Sequence, residues 1–597
     1  MAAAAFFLLA CTPPAPGVEP LPALPATATA KPAPVASVAS AKPSDDAGAP
    51  AAWPYTTPLV ARSAKGMVVT DNAPATRVGK AILASGGNAA DAAVATAFAL
   101  AVTYPTAGNV GGGGFAVARV GGKLRALDFR ETAPRAATRD MYLDATGKPS
   151  RDSADGIRSV GVPGAVAGLY EIYRELGSKK KTWKELLAPA IALAKDGFPV
   201  DAAFLDTLEH GGERLKKHAV SSALFFPDGK PPALGTSFKN PDLARTLERI
   251  AKDGPKGFYE GETAKAIVAQ MAADKGIVTM GDLAGYKAKW RAPLEFSYRG
   301  HKVVSMPPPS SGGVTLAMIC HILEGYDLGK LGFQSADELH VVFEAMRRAY
   351  AARNAKLGDP DFAKLPLERL LSETWATEQR AGIQKDRATP SSAIAVDGAA
   401  SGTGPHTTHF SVADAEGNTV ALTTTVNYWY GSGVTVKGGG FVLNNEMDDF
   451  ASVPGTANGF GLVQGEANAI APGKRMLSSM APTLVLGADG TPDLVLGGAG
   501  GPTIITAVLQ ELSNVLDFGK DPGAAASAPR FHMQHLPDVV TFETGGLDAS
   551  TKARLEGMGY AFKERGHLAD APLLGRVSGE WMGVAEPRRL GGLAEGL

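Results

Sequence analysis

The most constraining feature of the sequence is a pair of β-rich runs at residues 407–425, which read TTHFSVADAEGNTVALTTT. The central DAEGN is rich in turn formers, so the two runs predict a β-hairpin. The turn is centred near Glu416, and an equal count outward places Thr407 opposite Thr425, with Cβ atoms about 5 Å apart. The two threonine hydroxyls are therefore expected to meet at the open end of the hairpin.

The stretch before this hairpin, residues 388–406, is a low-complexity loop, and long loops of this kind in a compact body are usually functional. A single backbone cut between His406 and Thr407 would place a free α-amine beside the threonine hydroxyl. An amine with a pKa of about 8 can take the proton of that hydroxyl, so one residue serves as both nucleophile and base. The sequence therefore predicts the precursor of a self-cleaving, amide-attacking enzyme, although an isolated pair of strand threonines would carry no such meaning.

Short motifs are spread over about residues 57–590. They are DFRE at 128–131, MPPPSSGG at 306–313, TTHFSV at 407–412, NNEMDDF at 444–450, LSSM at 477–480 and GGAGG at 497–501. In this order they resemble the γ-glutamyltransferase family of N-terminal-nucleophile hydrolases, and chance agreement of so many motifs is very improbable. The resemblance implies an α/β (α+β) fold, a four-layer αββα sandwich with two stacked antiparallel sheets between helical layers. Composition alone, with 71 glycines and 42 prolines, indicates only a mixed α/β body.

The resemblance also implies the reaction. Thr407 first attacks the peptide bond after His406, and then attacks the γ-amide of a glutamyl donor such as glutathione to form a γ-glutamyl ester. Water or an amino-acid or peptide acceptor resolves this ester. Thr425 corresponds to the threonine that orients the attacking hydroxyl, and Gly500 and Gly501 correspond to glycines whose backbone N–H groups stabilise the oxyanion.

The donor site that the resemblance implies carries both charge signs, because a γ-glutamyl group has an α-carboxylate and an α-ammonium. The residues that bind the carboxylate correspond to Arg130, Ser478 and Ser479, and those that hold the ammonium to Asn427, Glu446 and Asp449. Residues 454–465 correspond to a lid loop, with Phe460 where a gating tyrosine often lies. A lid is expected to limit the size of the donor.

Three other functions stay open at the level of the sequence. A cephalosporin-type (glutaryl) acylase of the same fold is disfavoured, because its acyl group would leave Glu446 and Asp449 without an ammonium. A non-catalytic surface binding protein would have no need for the threonine pair together with both glycines. A serine hydrolase that uses Ser310 or Ser311 lacks a nearby His and Asp.

The parts of the chain are predicted from composition and from the proposed cut. Residues 1–11 resemble a lipoprotein signal that ends at Cys11, and residues 12–55 read as a Pro/Ala-rich flexible linker. Residues 56–406 and 407–597 are expected to become the large and small subunits of a heterodimer. The protein is accordingly expected to be exported, either periplasmic or held at the membrane by a lipid on Cys11.

Charge and cysteine content limit the remaining partners. The formal charge of −1 gives no general attraction for phosphate backbones, so nucleic acid is not expected as a partner. The two cysteines, Cys11 and Cys320, exclude a disulfide scaffold, and the ten histidines show no metal-binding spacing. No metal and no other cofactor is expected, and the small-molecule partners are the donor and the acceptor.

Overall fold

A computed structural model describes residues 53–394 and 407–597 of the protein. The predicted parts outside these residues are the signal at 1–11 with Cys11, nearly all of the linker at 12–55, and His406. Within the described ranges, no helix is long and apolar enough to span a bilayer.

The secondary structure is mixed throughout the described residues. The strands are β1 Val60–Ser63, β2 Gly66–Thr70, β3 Gly113–Val120, β4 Lys123–Asp128, β5 Phe198–Pro199, β6 Ser237–Phe238, β7 Lys289–Arg291, β8 Leu294–Tyr298, β9 His301–Ser305, β10 Thr407–Asp414, β11 Thr419–Thr425, β12 Thr483–Leu486, β13 Pro492–Leu496, β14 Phe531–His532, β15 Val540–Glu543, β16 Phe562–Arg565, β17 Leu573–Val577, β18 Glu580–Val584 and β19 Leu593–Gly596. The α-helices are α1 Ala73–Ala84, α2 Ala89–Thr103, α3 Ala165–Leu176, α4 Trp183–Asp196, α5 Ala202–Lys216, α6 Ala219–Phe225, α7 Pro241–Asp253, α8 Lys256–Tyr259, α9 Gly261–Asp274, α10 Met280–Gly285, α11 Gly312–Leu323, α12 Leu328–Leu331, α13 Ala336–Lys356, α14 Leu367–Leu370, α15 Glu373–Ala381, α16 Thr503–Leu516, α17 Pro522–Ser527 and α18 Ala549–Gly557.

Two seven-stranded sheets form the centre of the fold. The first has the order β1-β18-β17-β13-β12-β9-β8, and the second has the order β19-β2-β10-β11-β3-β4-β7. Neighbouring strands in both sheets are antiparallel. Each sheet combines strands from before and after Thr407, so the two predicted subunits share both sheets.

The two sheets are stacked, with a helical layer on each outer side. Alternate residues of a strand point to opposite faces of its sheet, and β2 shows this division. Met67 and Val69 belong to the hydrophobic cluster that contains the first sheet and helices α11, α13 and α16. Val68 belongs to the cluster that contains α2, α3, α4 and α7. The order of layers is helices, sheet, sheet, helices, which confirms the predicted four-layer αββα sandwich.

The hairpin at the centre of the second sheet has the predicted register. Strands β10 and β11 pair with Thr407 opposite Thr425, and the pairing continues without a shift to Ala413 opposite Thr419. Asp414 closes the turn, because its side chain accepts hydrogen bonds from the backbone of Glu416 at 3.0 Å and of Asn418 at 2.9 Å. The nucleophile candidate is therefore the first residue of a central strand.

The N-terminal end of the described body is held by two aromatic residues. Trp53 Nε1 donates a hydrogen bond to the Ser527 carbonyl at 2.8 Å. The rings of Trp53 and Tyr55 both lie against the Arg588 guanidinium, with centroids 5.5 and 5.0 Å from its central carbon. These two residues are packed against the body, although the predicted linker extends to residue 55.

Candidate active site

The two threonines that begin and end the hairpin form the centre of the site. Thr407 Oγ1 donates to Thr425 Oγ1 at 3.4 Å, and both side chains are buried. Thr425 Oγ1 also accepts a hydrogen bond from the backbone N–H of Asn427 at 2.8 Å. Thr425 thus orients the Thr407 hydroxyl and is itself fixed by the backbone of Asn427, which follows β11.

A glycine run packs against the end of β11 and keeps this region compact. Gly113 pairs with Thr425 across the β3–β11 ladder. A Cβ added to Gly112 would lie 2.0 Å from the Thr425 carbonyl oxygen, so a side chain there would push the strand end away. This contact gives the glycine run at 111–114 a structural role.

Gly500 and Gly501 lie just before α16, and each lines a cavity wall that Thr407 also lines. Their φ angles are +142° and +59°, in the region that L side chains rarely adopt. A Cβ on Gly500 would also lie 2.5 Å from Thr503 Oγ1. Among the described residues, neither backbone N–H of the two glycines donates to a protein acceptor. The pair therefore offers two N–H donors close to the hydroxyl, which is the property that an oxyanion hole needs.

Arg130, which follows β4 closely, is buried between two carboxylates. Its guanidinium donates to Glu446 and to Asp449, which stand at the two ends of a short 3-10 turn. Its Nε donates to the Met476 carbonyl at 3.3 Å. The predicted carboxylate-binding arginine and the predicted ammonium-binding acids are thus ion-paired with one another. A zwitterionic donor can replace these ion pairs, because its carboxylate can pair with Arg130 and its ammonium with the two acids.

Burial shifts the acids of this cluster towards their neutral forms. Desolvation is the largest cause in each case, and the positive charge of Arg130 opposes it. The pKa of Asp449 is raised to about 6, the pKa of Glu131 to about 8, and the pKa of Glu446 well above its usual value. An ammonium placed beside Asp449 and Glu446 would favour their ionised forms, so binding of a donor and ionisation of these acids are coupled.

The remaining predicted donor-site residues line the same closed pocket. The side chain of Asn427 donates to the Asn445 carbonyl at 3.0 Å, which fixes it beside Thr425. Ser478 Oγ accepts from the backbone N–H of Met480 at 3.1 Å. The predicted residues that line the pocket are Arg130, Thr407, Thr425, Asn427, Glu446, Asp449, Phe460, Ser478, Ser479 and Gly501. The structure therefore brings together every predicted site residue within the described ranges, with Gly500 on the adjoining wall.

The sequence motifs do not single out Arg353, yet its side chain lines this pocket. Arg353 lies near the end of α13, is 1% exposed, and donates from Nη2 to Ser479 Oγ at 3.1 Å. Its Nε donates to Ser311 Oγ at 3.0 Å. The sequence carries no distinct signal for Arg353, because α13 also contains Arg347 and Arg348, and only the packing of the helix shows which arginine reaches the pocket.

Ser310 and Ser311 hold the LSSM segment in place. Ser310 donates to the Met480 carbonyl, and Ser311 donates to the Ser478 carbonyl at 2.6 Å. Both hydroxyls are buried and used in these bonds. They act as braces for Ser478 and Ser479, which leaves the serine hydrolase alternative without a support in the geometry.

The lid loop at 454–465 is held over the pocket by Tyr428. The ring of Tyr428 packs edge-on against Phe460, with centroids 5.3 Å apart. The Tyr428 hydroxyl donates to Asp448, which also accepts from the backbone N–H of Gly459 at 3.3 Å. A Cβ on Gly459 would lie 1.5 Å from the Tyr428 oxygen, so this close approach requires glycine. Tyr428 and Asp448 together form a latch for the lid.

Further bonds hold the other part of the lid. Gln534 Nε2 donates to the Gly461 carbonyl at 3.2 Å. Gln464 donates to the Asp449 carbonyl at 3.1 Å and accepts from Arg353 at 3.4 Å. With the lid in this position the pocket encloses only about 20 Å³, roughly the room of one water molecule.

Two larger cavities lie outside the lid. One of about 500 Å³ is lined by Thr407, Gly500 and Thr503 together with residues 565–570. The other, of about 670 Å³, lies beside the lid residue Asn458. His210 and Trp429 line both cavities, and their rings stack with centroids 4.9 Å apart. Thr407 can therefore be reached from the outer side without passing through the closed pocket.

No group of three or more His, Cys, Asp or Glu side chains is placed to hold a metal ion within 53–394 and 407–597. Cys320 is a buried free thiol on α11.

Comparison with known proteins gives concordant matches over most of the chain. A family model described as gamma-glutamyltranspeptidase matches residues 75–596. The chain is 46% identical to the glutathione hydrolase proenzyme of Pseudomonas sp. (strain A14), over 89% of this chain and 94% of that protein. It is 43% identical to the glutathione hydrolase proenzyme of Escherichia coli (strain K12), over 90% of this chain and 92% of that protein.

Among solved structures, a cephalosporin acylase from Bacillus halodurans superposes with a TM-score of 0.79 at 28% identity, covering 90% of this chain and 96% of that chain. A gamma-glutamyltranspeptidase chain from Helicobacter pylori is 44% identical with a TM-score of 0.53, covering 54% of this chain and 93% of that chain. The family match spans both sides of Thr407 and includes every motif that forms the pocket. The chain therefore belongs to the gamma-glutamyltranspeptidase family.

Proposed function

We propose that the chain is the precursor of a γ-glutamyltransferase and glutathione hydrolase that cleaves itself before Thr407. The observation that carries the proposal is the contact of Thr407 Oγ1 with Thr425 Oγ1 at 3.4 Å, at the wall of a pocket that also holds Arg130 and Asp449. A hydroxyl nucleophile beside groups of both charge signs suits a γ-glutamyl amide, whose α-carbon carries a carboxylate and an ammonium. The names of the Pseudomonas and Escherichia coli relatives agree with this substrate.

Self-cleavage comes first in the proposed sequence of steps. Thr407 Oγ1 attacks the carbonyl carbon of His406, and the acyl group moves from the Thr407 nitrogen to the oxygen. Water then hydrolyses the resulting ester, which leaves a carboxylate on His406 and a free α-amine on Thr407. The amine is the base that turnover requires.

In turnover, the α-amine takes the proton of Thr407 Oγ1 while the oxygen attacks the γ-carbonyl of the donor. The backbone N–H groups of Gly500 and Gly501 receive the developing negative charge, and each such donor contributes about 3 kcal/mol in other enzymes. The amine then gives its proton to the departing nitrogen, and the donor becomes an ester of Thr407. Water or the amino group of an acceptor attacks this ester and frees the threonine.

The two sides of Thr407 divide the substrates between them. The closed pocket with Arg130 and Asp449 takes the γ-glutamyl group. The open cavity of about 500 Å³ on the Gly500 side takes the departing amine and, in the second half-reaction, the water or acceptor. Trp429 lines that cavity and limits its width.

The test combines a denaturing gel, N-terminal sequencing and an anilide assay on the purified full chain. We expect two fragments, the smaller of which starts TTHFS, and release of p-nitroaniline from its γ-glutamyl derivative. An uncut chain that has full activity would contradict the mechanism. An uncut chain without activity would favour a non-catalytic binding protein.

A glutaryl acylase is the second candidate, because the Bacillus halodurans relative with the same fold is a cephalosporin acylase. The acid pair Glu446 and Asp449 opposes this alternative, since a glutaryl group has no ammonium to offer them. A kcat/KM for glutaryl p-nitroanilide that exceeds the value for γ-glutamyl p-nitroanilide would support the acylase.

We further propose that residues 56–406 and 407–597 remain together as a heterodimer after the cut, and that the protein is exported and anchored by a lipid on Cys11. The resemblance of residues 1–11 to a lipoprotein signal supports export. Incorporation of labelled palmitate into the wild type, and its loss in Cys11→Ala, is the expected result. Equal labelling of both would overturn the anchor.

A further inference from the structure

We propose that Arg353 is a specificity-determining residue of the donor site and supplies the positive charge that receives the donor's α-carboxylate. This inference rests on the proposed function, because it concerns the same pocket and the same donor. Arg353 contributes its side chain from α13 to the pocket wall beside Ser479. It belongs to none of the motifs that identify the site.

The first observation is that Arg353 has only neutral partners. Its guanidinium donates to Ser311 Oγ at 3.0 Å, Ser479 Oγ at 3.1 Å, Asn354 Oδ1 at 2.9 Å and Gln464 Oε1 at 3.4 Å. In the described part of the chain, no carboxylate lies within ion-pair distance of it. The other buried arginines on the same helix, Arg347 and Arg348, are paired with Glu344.

The second observation is that the charge of Arg130 is already matched. Glu446 and Asp449 both accept from its guanidinium, and Glu131 lies 3.9 Å away. Arg130 therefore has three carboxylates within ion-pair distance, whereas Arg353 has none at that distance and is influenced by Asp449 only from farther away. An incoming carboxylate therefore meets less repulsion beside Arg353 than beside Arg130, whose guanidinium is surrounded by acids.

A buried cation without a directly paired carboxylate is costly, because hydrogen bonds and the more distant charge of Asp449 offset its desolvation only in part. The same desolvation lowers the pKa of Arg353 to about 10, and it still carries its charge at neutral pH. Folded proteins normally avoid this cost because their charged side chains are either ion-paired or exposed to solvent. An unpaired buried cation is expected in a binding site whose ligand is an anion, because the ligand then supplies the missing counter-ion.

The α-carboxylate of a γ-glutamyl donor can serve as the missing counter-ion of Arg353. With its ammonium against Glu446 and Asp449, its carboxylate lies towards Arg130 on one side and towards Ser479 and Arg353 on the other. Every charge in the pocket then has a partner of opposite sign. Ser479, whose oxygen accepts from Arg353, can turn its own proton towards the carboxylate and so transmit the same preference.

Three donors that differ by one charged group separate this role from a structural one. The probes are γ-glutamyl p-nitroanilide, glutaryl p-nitroanilide, which lacks the ammonium, and 4-aminobutyryl p-nitroanilide, which lacks the carboxylate. For Arg353→Gln we expect kcat/KM to fall about 10- to 100-fold for the two donors that carry the carboxylate, the usual effect of losing a hydrogen bond to a charged group. The value for 4-aminobutyryl p-nitroanilide is expected to stay at the wild-type level. Arg353→Lys, which keeps the charge without the planar fork, should give an intermediate loss.

The matched control is Arg348→Gln, which removes a buried arginine of the same helix that is paired with Glu344. Any loss in this control is expected to be equal for all three donors. An equal loss for all three donors in Arg353→Gln would overturn the proposal and leave Arg353 a structural role. Failure of the proposed function looks different, because the wild type would then release no p-nitroaniline from the γ-glutamyl probe.

Discussion

At the scale of the residue, the site depends on one hydroxyl and on the charges that face it. Thr407 is buried at 6% exposure and touches Thr425, so its reactivity is set by the protein and not by solvent. The groups opposite it are ion-paired to one another in advance, with Arg130 held between Glu446 and Asp449. A donor must therefore carry both a carboxylate and an ammonium, because these replace the ion pairs that its binding disrupts.

Removal of the Thr407 hydroxyl is expected to abolish both self-cleavage and turnover. Thr407→Ala should run as a single band on a denaturing gel and release no p-nitroaniline, whereas Thr407→Ser should be cut and active at a lower rate, because it keeps the oxygen. Thr424→Ala is the control, since this buried neighbour only donates to the Gly113 carbonyl at 2.9 Å. Cleavage of Thr407→Ala at the same bond would contradict the assignment.

The preference for an ammonium is expected to depend on pH through Asp449. Burial raises the pKa of Asp449 to about 6, so its carboxylate is present above this pH and is lost as the pH falls through it. We expect the ratio of kcat/KM for γ-glutamyl to that for glutaryl p-nitroanilide to fall as the pH is lowered from 8 to about 5. The ratio cancels the titration of the Thr407 amine, which affects both donors. In Asp449→Asn, the ratio should be lower at every pH and should fall less steeply, because the neighbouring acids Glu446 and Glu131, whose pKa values are also raised, still titrate. A fall as large as that of the wild type would refute the assignment.

At the scale of the element, a short hairpin positions the nucleophile and a latched loop encloses it. The hairpin register fixes which threonines meet, and the lid bonds of Tyr428 and Asp448 fix how closely Phe460 approaches the pocket. Phe460 has no hydroxyl with which to form a hydrogen bond to the pocket. The lid is instead fixed one residue earlier, where the Gly459 backbone N–H donates to Asp448. We therefore expect the contact of Tyr428 with Gly459 to limit the size of the donor.

Opening of the latch is expected to change donor size preference. Gly459→Ala places a methyl group 1.5 Å from the Tyr428 oxygen, so the lid must move outward. We expect kcat/KM for γ-glutamyl p-nitroanilide to fall about 10- to 100-fold, while bulky γ-glutamyl polymers gain relative to it. Because Tyr428→Phe removes the clashing oxygen, the double variant should recover part of the loss. Gly557→Ala, at a helical glycine with open space around it, is the control, and an equal effect there would show that the lid contact is not responsible.

Local features of the fold could be predicted from the sequence, and contacts between distant segments could not. The register of Thr407 with Thr425 follows from the turn residues and the alternation of the strands, which are local. Helix α2 was likewise predictable, because Asn88 forms a capping box with Asp91 ahead of an apolar run. The ion pairs of Arg130 join it to acids more than three hundred residues later in the chain, and the place of Arg353 depends on how α13 packs against segments more than a hundred residues away. No local pattern carries that information.

At the scale of the whole molecule, the cut separates the chain without dividing the fold. Strands β10, β11 and β19 form one sheet with β2, β3, β4 and β7, and β12, β13, β17 and β18 form the other with β1, β8 and β9. Each predicted subunit therefore lacks strands that complete its sheets. Their unpaired edges and apolar faces would be exposed if the subunits separated.

The two fragments are accordingly expected to stay associated after cleavage. Size-exclusion chromatography in native buffer should give one peak that contains both, and the same material on a denaturing gel should give two bands. Separation should require a denaturant concentration that also unfolds the sheets. Two native peaks at any protein concentration would contradict the shared core.

The position of Thr407 at the start of a central strand has a consequence for the lifetime of the enzyme. An ordinary chain terminus frays and can be trimmed by aminopeptidases or blocked by acylating metabolites. The terminus that the cut creates is paired with Thr425 of β11, and the strand that it begins is held between β2 and β11 from Phe410 onward. The amino group on which catalysis depends is therefore fixed at a paired strand end, where small substrates can reach it through the cavity but an aminopeptidase cannot draw the chain out, so the catalyst should lose activity by unfolding rather than by trimming of its first residue.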